Sequence, residues 1–524
     1  MSRAFFVAAL LLLCCAAQSV RAQESGGLTI EEWEEPSSSD SDATEDGIPE
    51  WNPDDSGEAP SPPTAASLFQ ITARPYGFLR TRGGVDTAFQ SARGERLAED
   101  VVDLRSRWVV GLDAKLAERL RLVVEARAFY RASAQRGFDR ARANFEPEVG
   151  EAFVDFYSQA FDLRVGYQTV SFGANAAFAP ADSLNPRDLR EGFLLVEPED
   201  VKLPNAAVRA RGRVGTVDLT AVYFPFFRAS RYAVFGQDEA MVQPALGVAV
   251  PVELHPSIEE GLQPHVLETE RPQAYPWLGE WGLRATTKVG SATVGASWAW
   301  TYEKIPAVRL DPELSALVRA SARGVEPDPA TAVSVQERTL AGEKLLRGHY
   351  PRQHLLSLEA QVLLGTAQLD LDASYSPAQT LYDARLNPLR LRTFTWVAGV
   401  SQAADSPFLY SVNYLGFAVP DLPSEGYLFL LEPATAAGAP RTVWFHALFV
   451  QLGYALFDRR LELTFRGGVE PIQRSWAIAP RAAWREGRHT VGVGLELYEG
   501  RTYSPFGYFS RNDQVVASWT VELF

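Results

Sequence analysis

The chain is dominated by short stretches in which apolar and polar residues alternate with a period of two. In DLRSRWVVGLDAKL, the residues Leu104, Trp108 and Val110 share one face, whereas Arg105 and Arg107 share the other. The stretches RLRLVVEARAFYR, ATVGASWAWTY and RRLELTFRGG repeat this arrangement. Successive side chains of an extended strand point to opposite faces, so the pattern predicts a chain of two-sided β-strands.

The connections between these stretches fall into two classes. Several pairs are joined by two small or polar residues, as at Gly215-Thr216, Gly290-Ser291 and Asp458-Arg459, which is typical of β-hairpins. Between the hairpins lie long connections, among them 173–204 and 303–353. Short and long connections are therefore expected to alternate along the chain.

Two architectures use strands of this kind. A soluble sandwich buries each apolar face against a second sheet, but it gives no reason for one set of turns to be uniformly tight. A transmembrane barrel has a closed sheet because backbone groups in lipid must all be paired. It also has an apolar outer face, a polar lumen, short periplasmic turns and long outer loops. We therefore predict an all-β fold, a transmembrane antiparallel up-and-down β-barrel of about 18 strands, with 16 as the alternative count.

The last stretch, DQVVASWTVELF, explains how such a barrel closes. Val515, Trp519 and Val521 lie on one face of a strand that ends the chain at Phe524. We expect this face to lie against lipid, and the strand to pair with the first one near residues 76–82.

The N-terminus carries an export signal. Arg3 precedes an apolar run over residues 4–17, and Val20-Arg21-Ala22 offers small residues for cleavage near Gln23. Residues 1–22 are therefore predicted to be a signal peptide. Both cysteines of the chain lie within it, so the mature chain would have no disulfide and no cysteine nucleophile.

Residues 23–66 form an acidic leader. They include 13 acidic residues and no basic ones, with many Ser, Pro and Gly residues. Such a composition buries too little apolar surface to offset ordering entropy, so we predict a disordered periplasmic segment. A solvated spacer is the simpler interpretation, and a docking tail anchored by Trp33 and Trp51 is the alternative. The barrel then occupies residues 67–524.

The signal peptide, the alternating strands and the terminal Phe524 together resemble the outer-membrane β-barrels of Gram-negative bacteria. This resemblance implies a bacterial outer-membrane location, outer-membrane lipid as a partner, and recognition of the closing strand by the barrel assembly machinery. A narrower resemblance lies in VGYQTVSFGANAAFAPADSLNPRDLR. This stretch is similar to a poorly characterised group of porin-like barrels that carry a GxQ…G…LNPRD segment.

The predicted lumen face of the N-terminal half is rich in basic residues. A cationic wall lowers the barrier for anions, whereas Arg–carboxylate networks brace the wall of a wide barrel, and the two roles can coexist. The candidate pore-lining residues are Arg105, Arg107, Arg119, Arg121, Arg127, Arg131, Arg164, Arg209, Arg211, Arg213, Arg284 and Lys288.

A second candidate site lies in the connection over 173–204. Pro186 fixes a turn that Asn185 and Asp188 can cap. If this connection folds inward, Arg187 and Arg190 would narrow the pore. In the connection over 303–353, DPELSALVRASARG and SVQERTLAGEKLLRG are predicted to form short helices. We expect at least one of the long connections over 225–279 and 303–353 to cover or constrict the mouth.

The sequence offers no pattern for chemistry. It contains no HExxH or GxSxG motif, no recognisable pairing of His with a nucleophile, and no strongly basic nucleic-acid patch. We therefore predict a non-enzymatic channel, without cofactor, metal or nucleic acid, for passive diffusion of small solutes with a mild anion preference. A homo-oligomer is compatible with this function.

Two other functions stay open at this stage. One is a specific carrier for a hydrophobic or lipid-like ligand, for which LFVQLGYALF and YFPFF, apolar on both faces, are the best candidate segments. The other is a structural or partner-binding barrel in the outer membrane.

Overall fold

The computed structural model describes most of the chain from Thr72 onward. The described residues are 72–87, 100–135, 141–158, 160–175, 178–190, 201–232, 267–272, 275–322, 326, 328–382, 388–402, 406–422, 441–500, 504–509 and 512–524. The predicted signal peptide, the acidic leader and parts of several long connections lie outside these residues.

The described residues form 21 strands and two α-helices, and eighteen of the strands make one sheet. In chain order the strands are β1 (Thr72–Asp86), β2 (Asp100–Ala117), β3 (Leu120–Gln135), β4 (Ala141–Tyr157), β5 (Phe161–Gln168), β6 (Asn205–Val214), β7 (Val217–Phe224), β8 (Leu267–Glu270), β9 (Glu280–Val289), β10 (Ala292–Tyr302), β11 (Ala307–Leu310), β12 (Leu346–His349), β13 (Arg352–Leu364), β14 (Ala367–Tyr382), β15 (Pro388–Gln402), β16 (Phe408–Leu422), β17 (Arg441–Leu456), β18 (Leu461–Glu470), β19 (Ser475–Glu486), β20 (His489–Glu499) and β21 (Gln514–Glu522).

The sheet closes on itself. Each barrel strand pairs antiparallel with its neighbour in the chain, and β7 pairs with β9 and β10 with β13 because β8, β11 and β12 form a separate small sheet. The last strand pairs with the first over Phe78↔Glu522 to Asp86↔Gln514. The predicted antiparallel barrel, its closure by the last strand and its count of 18 strands are therefore confirmed.

The two faces of the wall differ as the alternation predicts. On β2, Trp108 is 52% exposed and Val110 48%, whereas Arg105 and Arg107 are 8% and 7% exposed. Trp519 of β21 is likewise exposed on the outer face. Apolar side chains thus cover the outside of the barrel, and polar side chains turn inward, where the neighbouring strands bury them.

The tight connections lie at one end of the barrel. Gly215, Gly290, Gly365 and Gly487 each open a two-residue turn with φ between +56° and +64°, a conformation that glycine adopts without a steric penalty. The predicted strict alternation of short and long connections is not complete. At the other end, residues 471–474 suffice to join β18 to β19, because pairing of these strands runs on to Glu470↔Ser475.

The connection between β10 and β13 carries its own small structure. It contains α1 (Pro312–Ala322), as predicted, and α2 (Pro329–Leu340). The second helix begins before the predicted stretch over 334–348, and the end of that stretch forms β12 instead. Both helices begin with proline, a residue suited to the first helical position, and the Asp328 side chain caps α2 by accepting from Thr331 N at 3.1 Å. Strand β12 pairs antiparallel with β11 and parallel with β8.

A search of the described helices finds none that is both long enough and apolar enough to cross a membrane.

Candidate functional site: the barrel interior

The connection after β5 folds into the barrel and crosses it. We call its described residues, 169–175 and 178–190, the inward segment. Phe178 of this segment contacts Phe449 of β17, with the ring centroids 4.7 Å apart, and belongs to one buried apolar cluster with Val443, Phe445 and Ala447. Around the closed sheet, β17 is nine strands from β5 in either direction, so the segment reaches the opposite wall.

A carboxylate on the far wall holds the tip of the inward segment. Asp372 of β14 accepts hydrogen bonds from Ala174 N at 3.0 Å and from Asn175 N at 2.6 Å. The Asn175 side chain donates to Asn413 Oδ1 of β16 at 2.7 Å, and its own Oδ1 accepts from Phe178 N at 2.8 Å. Backbone N–H groups that would be unpaired in the lumen are thus satisfied by wall residues.

Apolar contacts complete this distal attachment. The Phe178 ring lies 4.7 Å from the Phe449 ring and packs against inward-facing Val397 and Leu415. A glycine of the wall makes room for the hydrogen bond between Asn175 and Asn413. A Cβ at Gly399 of β15 would collide with both of these side chains. The far wall is therefore shaped to receive the inward segment.

The predicted constriction residues form the base of the inward segment. Asn185 closes the base, because its Oδ1 accepts from Val170 N at 3.1 Å and its Nδ2 donates to Val170 O. Asp188 N donates to Val201 O at 2.7 Å, and Arg187 N donates to Ser230 Oγ at 2.9 Å. The LNPRD stretch thus joins the segment to two neighbouring connections.

Arg187 and Arg190 are both held by carboxylates, but in different environments. Arg187 is 3% exposed and binds Asp182 at 3.2 Å. Burial lowers the pKa of the Arg187 guanidinium, and Asp182 opposes that shift, so the residue stays charged. Arg190 is less buried, and its hydrogen bonds to Asp188 and Glu146 outweigh desolvation and raise its pKa.

The structure places all but one of the predicted pore-lining residues on the strands of one half of the wall. Eleven of the twelve lie on β2, β3, β5, β6 and β9. Arg119 instead lies exposed in the turn between β2 and β3, because β2 ends at Ala117 and β3 begins at Leu120. Arg213 and Lys288 lie near the tight turns and are also exposed.

Carboxylates bind many of these guanidiniums. Asp103 binds both Arg105 and Arg131. Asp155 of β4 binds Arg164 at 2.6 Å and lies 3.8 Å from Arg121, which also binds Asp113 at 2.8 Å. Such charge-assisted networks, which run across β2 to β5, brace the wall.

Acidic and amide side chains occupy the facing wall. Asp370 of β14 accepts from Gln361 at 3.2 Å and from Gln368 at 3.0 Å. Glu359 of β13 binds Arg284 of β9 at 2.8 Å, where the two walls meet. The predicted basic residues therefore lie on one side of the interior and the carboxylates Asp370 and Asp372 on the other, and the inward segment spans the space between them.

A second connection also folds inward. Phe506, between β20 and β21, packs against Ala477 and Ala479 of β19, and its ring lies 6.1 Å from that of Phe449. Phe449 therefore contacts both Phe178 and Phe506. The inward segment and this last connection meet on one apolar strip of the far wall.

Sequence reasoning did not single out the residues that hold the segment tip. Asp372, Asn175, Phe178 and Asn413 stand in no motif that assigns them a role. The one available signal was FGANAAFAP itself, a polar Asn among small and apolar residues within a long connection. Its partners are 197 to 238 residues away in the chain, so no local pattern pairs them.

Comparison with known proteins gives structural neighbours only. No protein-family model matches the sequence, and no curated protein sequence matches it. OccAB1 of Acinetobacter baumannii is 9% identical, with 86% of this chain and 96% of that chain covered at a TM-score of 0.45. The outer membrane protein OpdK of Pseudomonas aeruginosa is 9% identical, with 86% and 99% covered at 0.42. Salmonella typhi OmpF is 10% identical, with 88% and 99% covered at 0.38. Identities and scores this low leave the function to be argued from the barrel itself.

Proposed function

We propose that this chain is a porin-like outer-membrane barrel through which small solutes diffuse passively. The observation that carries the proposal is the closed sheet of 18 strands with an apolar outside and a charged, polar inside. Lipid accepts the apolar face and a closed sheet leaves no unpaired strand edge, while a polar lumen favours water. The mechanism needs no chemical step, so we propose no enzymatic activity.

The inward segment sets the size limit in this proposal. It crosses from β5 to β17 and is attached on both sides. On the near side Arg187 and Asp188 bind neighbouring connections, and on the far side Asp372 accepts from the segment tip. A solute must therefore pass beside the inward segment, because the full width of the 18-strand barrel is not open to it.

The charge distribution supports a mild preference for anions. Arg105 and Arg131, which share the carboxylate of Asp103, belong to the basic residues that line β2, β3, β5, β6 and β9. A charged wall in a confined, low-dielectric passage raises the local concentration of the opposite ion. The carboxylates of β13 and β14 act against this effect, so the preference is expected to be small.

The carrier hypothesis receives less support. Strands β14 to β17 do present an inward apolar strip, which includes Val397 and Leu415. Phe449, which belongs to the predicted LFVQLGYALF stretch, packs against the same strip. Phe178 of the inward segment already covers this strip. The strip thus has an occupant within the chain, and we do not propose it as a site for a lipid-like ligand.

Two measurements test the channel. Liposomes containing the purified barrel should swell in isotonic small sugars and swell less as sugar size increases. In planar bilayers under a salt gradient, the reversal potential should show weak anion selectivity, and Arg105→Gln with Arg131→Gln should shift it toward cations. Liposomes that fail to swell in any sugar would contradict passive diffusion, and cation selectivity of the unmodified protein would contradict the anion preference.

The ends of the chain complete the proposal. We propose export by a signal peptide over 1–22, an acidic leader over 23–66 that acts as a periplasmic spacer, and recognition of the closing strand by the assembly machinery. Deleting residues 23–66 should leave conductance unchanged. A leader variant that loses conductance would contradict the spacer role. A co-purified partner lost on deletion would favour the docking-tail role instead.

A further inference from the structure

A row of aromatic side chains crosses the outer face of the barrel near its long-loop end. Tyr223 of β7 pairs with Trp281 of β9, Trp281 with Trp300 of β10, and Trp300 with His354 of β13. The Tyr223 and Trp281 rings are 4.2 Å apart, and Trp300 and His354 are stacked at 6.4 Å. Tryptophan and tyrosine favour the membrane–water interface, so this row marks the level of lipid headgroups.

Arg352 lies directly above this row and faces outward. Its guanidinium carbon is 3.9 Å from the Trp300 ring centroid and 4.2 Å from the Tyr302 ring centroid. Its Nη atoms donate to Leu278 O and, at 3.5 Å, to Gly279 O. The guanidinium is therefore fixed in position by two rings and two carbonyl groups.

Within the part of the chain that the structure describes, no carboxylate neutralises Arg352, and its Nε has no acceptor. The neighbouring Arg390 shows the contrast, because it binds Glu303 at 2.5 Å while its Nη2 donates to Arg352 O at 2.6 Å. A positive charge that is held rigidly, without a carboxylate, at the level of lipid headgroups is complementary to an anionic headgroup.

The position of Arg352 along β13 also agrees with the level of the lipid headgroups. Arg352 begins β13, and Leu364 ends it at the tight-turn end. Twelve residue steps on a strand tilted as barrel strands are rise about 30 Å, slightly more than the apolar band of such barrels. Below Arg352 on the same outer face, Leu356 is 50% exposed and Leu358 is 65% exposed. Arg352 therefore stands just above an apolar surface that acyl chains can cover.

We propose that Arg352, framed by Trp300 and Tyr302, binds the phosphate headgroup of an outer-leaflet lipid whose acyl chains lie over Leu356 and Leu358. This inference rests on the proposed function only in that lipid surrounds the barrel. The adjoining apolar strip selects a lipid-borne phosphate over free phosphate, because the strip adds hydrophobic contact that inorganic phosphate lacks.

Native mass spectrometry of the full-length barrel in dodecyl maltoside tests the site with dilauroyl phosphatidic acid as the probe. We expect the unmodified protein to bind this lipid at least about tenfold more tightly than dilauroyl phosphatidylcholine, and Arg352→Gln to remove that difference. The matched control is Arg460→Gln, which removes an exposed arginine at the tight-turn end and should leave binding unchanged. Arg352→Lys, which keeps the charge but not the planar fork, should give an intermediate affinity.

The proposal fails if Arg352→Gln and the unmodified protein bind phosphatidic acid equally, or if phosphatidylcholine binds as tightly as phosphatidic acid. It also fails if inorganic phosphate competes at the lipid's own concentration, since the acyl chains would then contribute nothing. Should Arg352→Gln not fold, the affinity of the unmodified protein must still fall as salt rises. Planar-bilayer conductance, which Arg352→Gln should not alter, separates a failure of this inference from a failure of the channel proposal.

Discussion

Asp370 and Asp372 lie two residues apart on the inner face of β14, and their surroundings give them different roles. Asp370 binds the side chains of Gln361 and Gln368 on the wall. Asp372 accepts two backbone N–H groups from the tip of the inward segment. The two carboxylates contribute the same charge to the lumen, so only their contacts distinguish them.

Replacing Asp372 with Ala should loosen the segment tip. It removes two hydrogen bonds to a charged acceptor, each worth about 1.5–3 kcal/mol, and leaves Ala174 N and Asn175 N without their partner. Single-channel recordings should show a higher open conductance and more frequent fluctuations. Asp370→Ala is the control, because it removes the same charge from the same face without touching the segment. If both variants change conductance equally, charge rather than attachment controls the passage.

For single residues, the sequence predicts which face of the barrel wall a side chain occupies, but it does not predict which distant residues that side chain contacts. The alternation placed Arg105 and Arg107 on the inside, because a period of two leaves them only one side of the wall. It could not pair Asn175 with Asn413, because these residues are 238 positions apart and come together only when the sheet closes. The chemistry of the LNPRD stretch likewise predicted a turn, but its contacts with Val201 and Ser230 depend on neighbouring connections.

Single strands show the same division between what is local and what is not. On β10, Ala296 is exposed on the outer face and Ser297 is half-buried on the inner face. The tight turn at Gly290-Ser291 and the alternation of ATVGASWAW suffice to predict both orientations. The short connection over 471–474, at the end of the barrel opposite the tight turns, could not be predicted in this way. The sequence pattern does not show how far β18 and β19 stay paired.

Charged substitutions on β10 should therefore have opposite consequences at adjacent positions. Ala296→Arg places a charge in lipid and should lower the free energy of unfolding by about 2–4 kcal/mol if the site lies near the bilayer midplane. Ser297→Arg points into a polar lumen and should change it far less. Reversible denaturant unfolding in lipid vesicles measures both values. A larger loss for Ser297→Arg would reverse the assignment of the two faces.

The helix pair α1–α2 is an element whose stability should depend on pH. A hydrogen bond from Arg338 lowers the pKa of Asp311, and Arg338 similarly lowers the pKa of Glu343. A carboxylate whose folded pKa is depressed stabilises the folded form above its unfolded pKa of about 4, and this contribution is lost as pH falls through the folded value. Hydrogen-exchange protection factors for 312–340 should therefore decrease between pH 5 and pH 3.

Arg338→Gln is the matched variant for this experiment. It removes the guanidinium that binds Asp311 at 2.9 Å and Glu343 at 2.7 Å, so the low-pH loss of protection should become smaller. The part that remains is expected from protonation of Asp328, which caps α2. Amides of β16 serve as an internal reference, because they pair within the sheet. An unchanged pH dependence in Arg338→Gln would show that other groups control the helix pair.

The whole molecule follows from one constraint, which is that every strand must find two neighbours. Closure between β1 and β21 supplies the last pair, with Thr81 opposite Trp519. A closed sheet of this size has an interior too wide for wall side chains alone to fill, and the inward segment and the connection at Phe506 occupy part of it. The strand count was predictable from the pattern, whereas this filling depends on which connections turn inward.

The most direct test of a wet interior inside an apolar cylinder uses two adjacent cysteines. Cys14 and Cys15 are the only cysteines of the sequence, so a chain that begins at Gln23 has none. Ala296→Cys and Ser297→Cys are then each exposed, in vesicles, to a membrane-impermeant, negatively charged thiol reagent. Modification is expected at Ser297→Cys, with a drop in conductance, and protection is expected at Ala296→Cys. Modification at Ala296→Cys with protection at Ser297→Cys, or no modification at either position, would contradict this prediction.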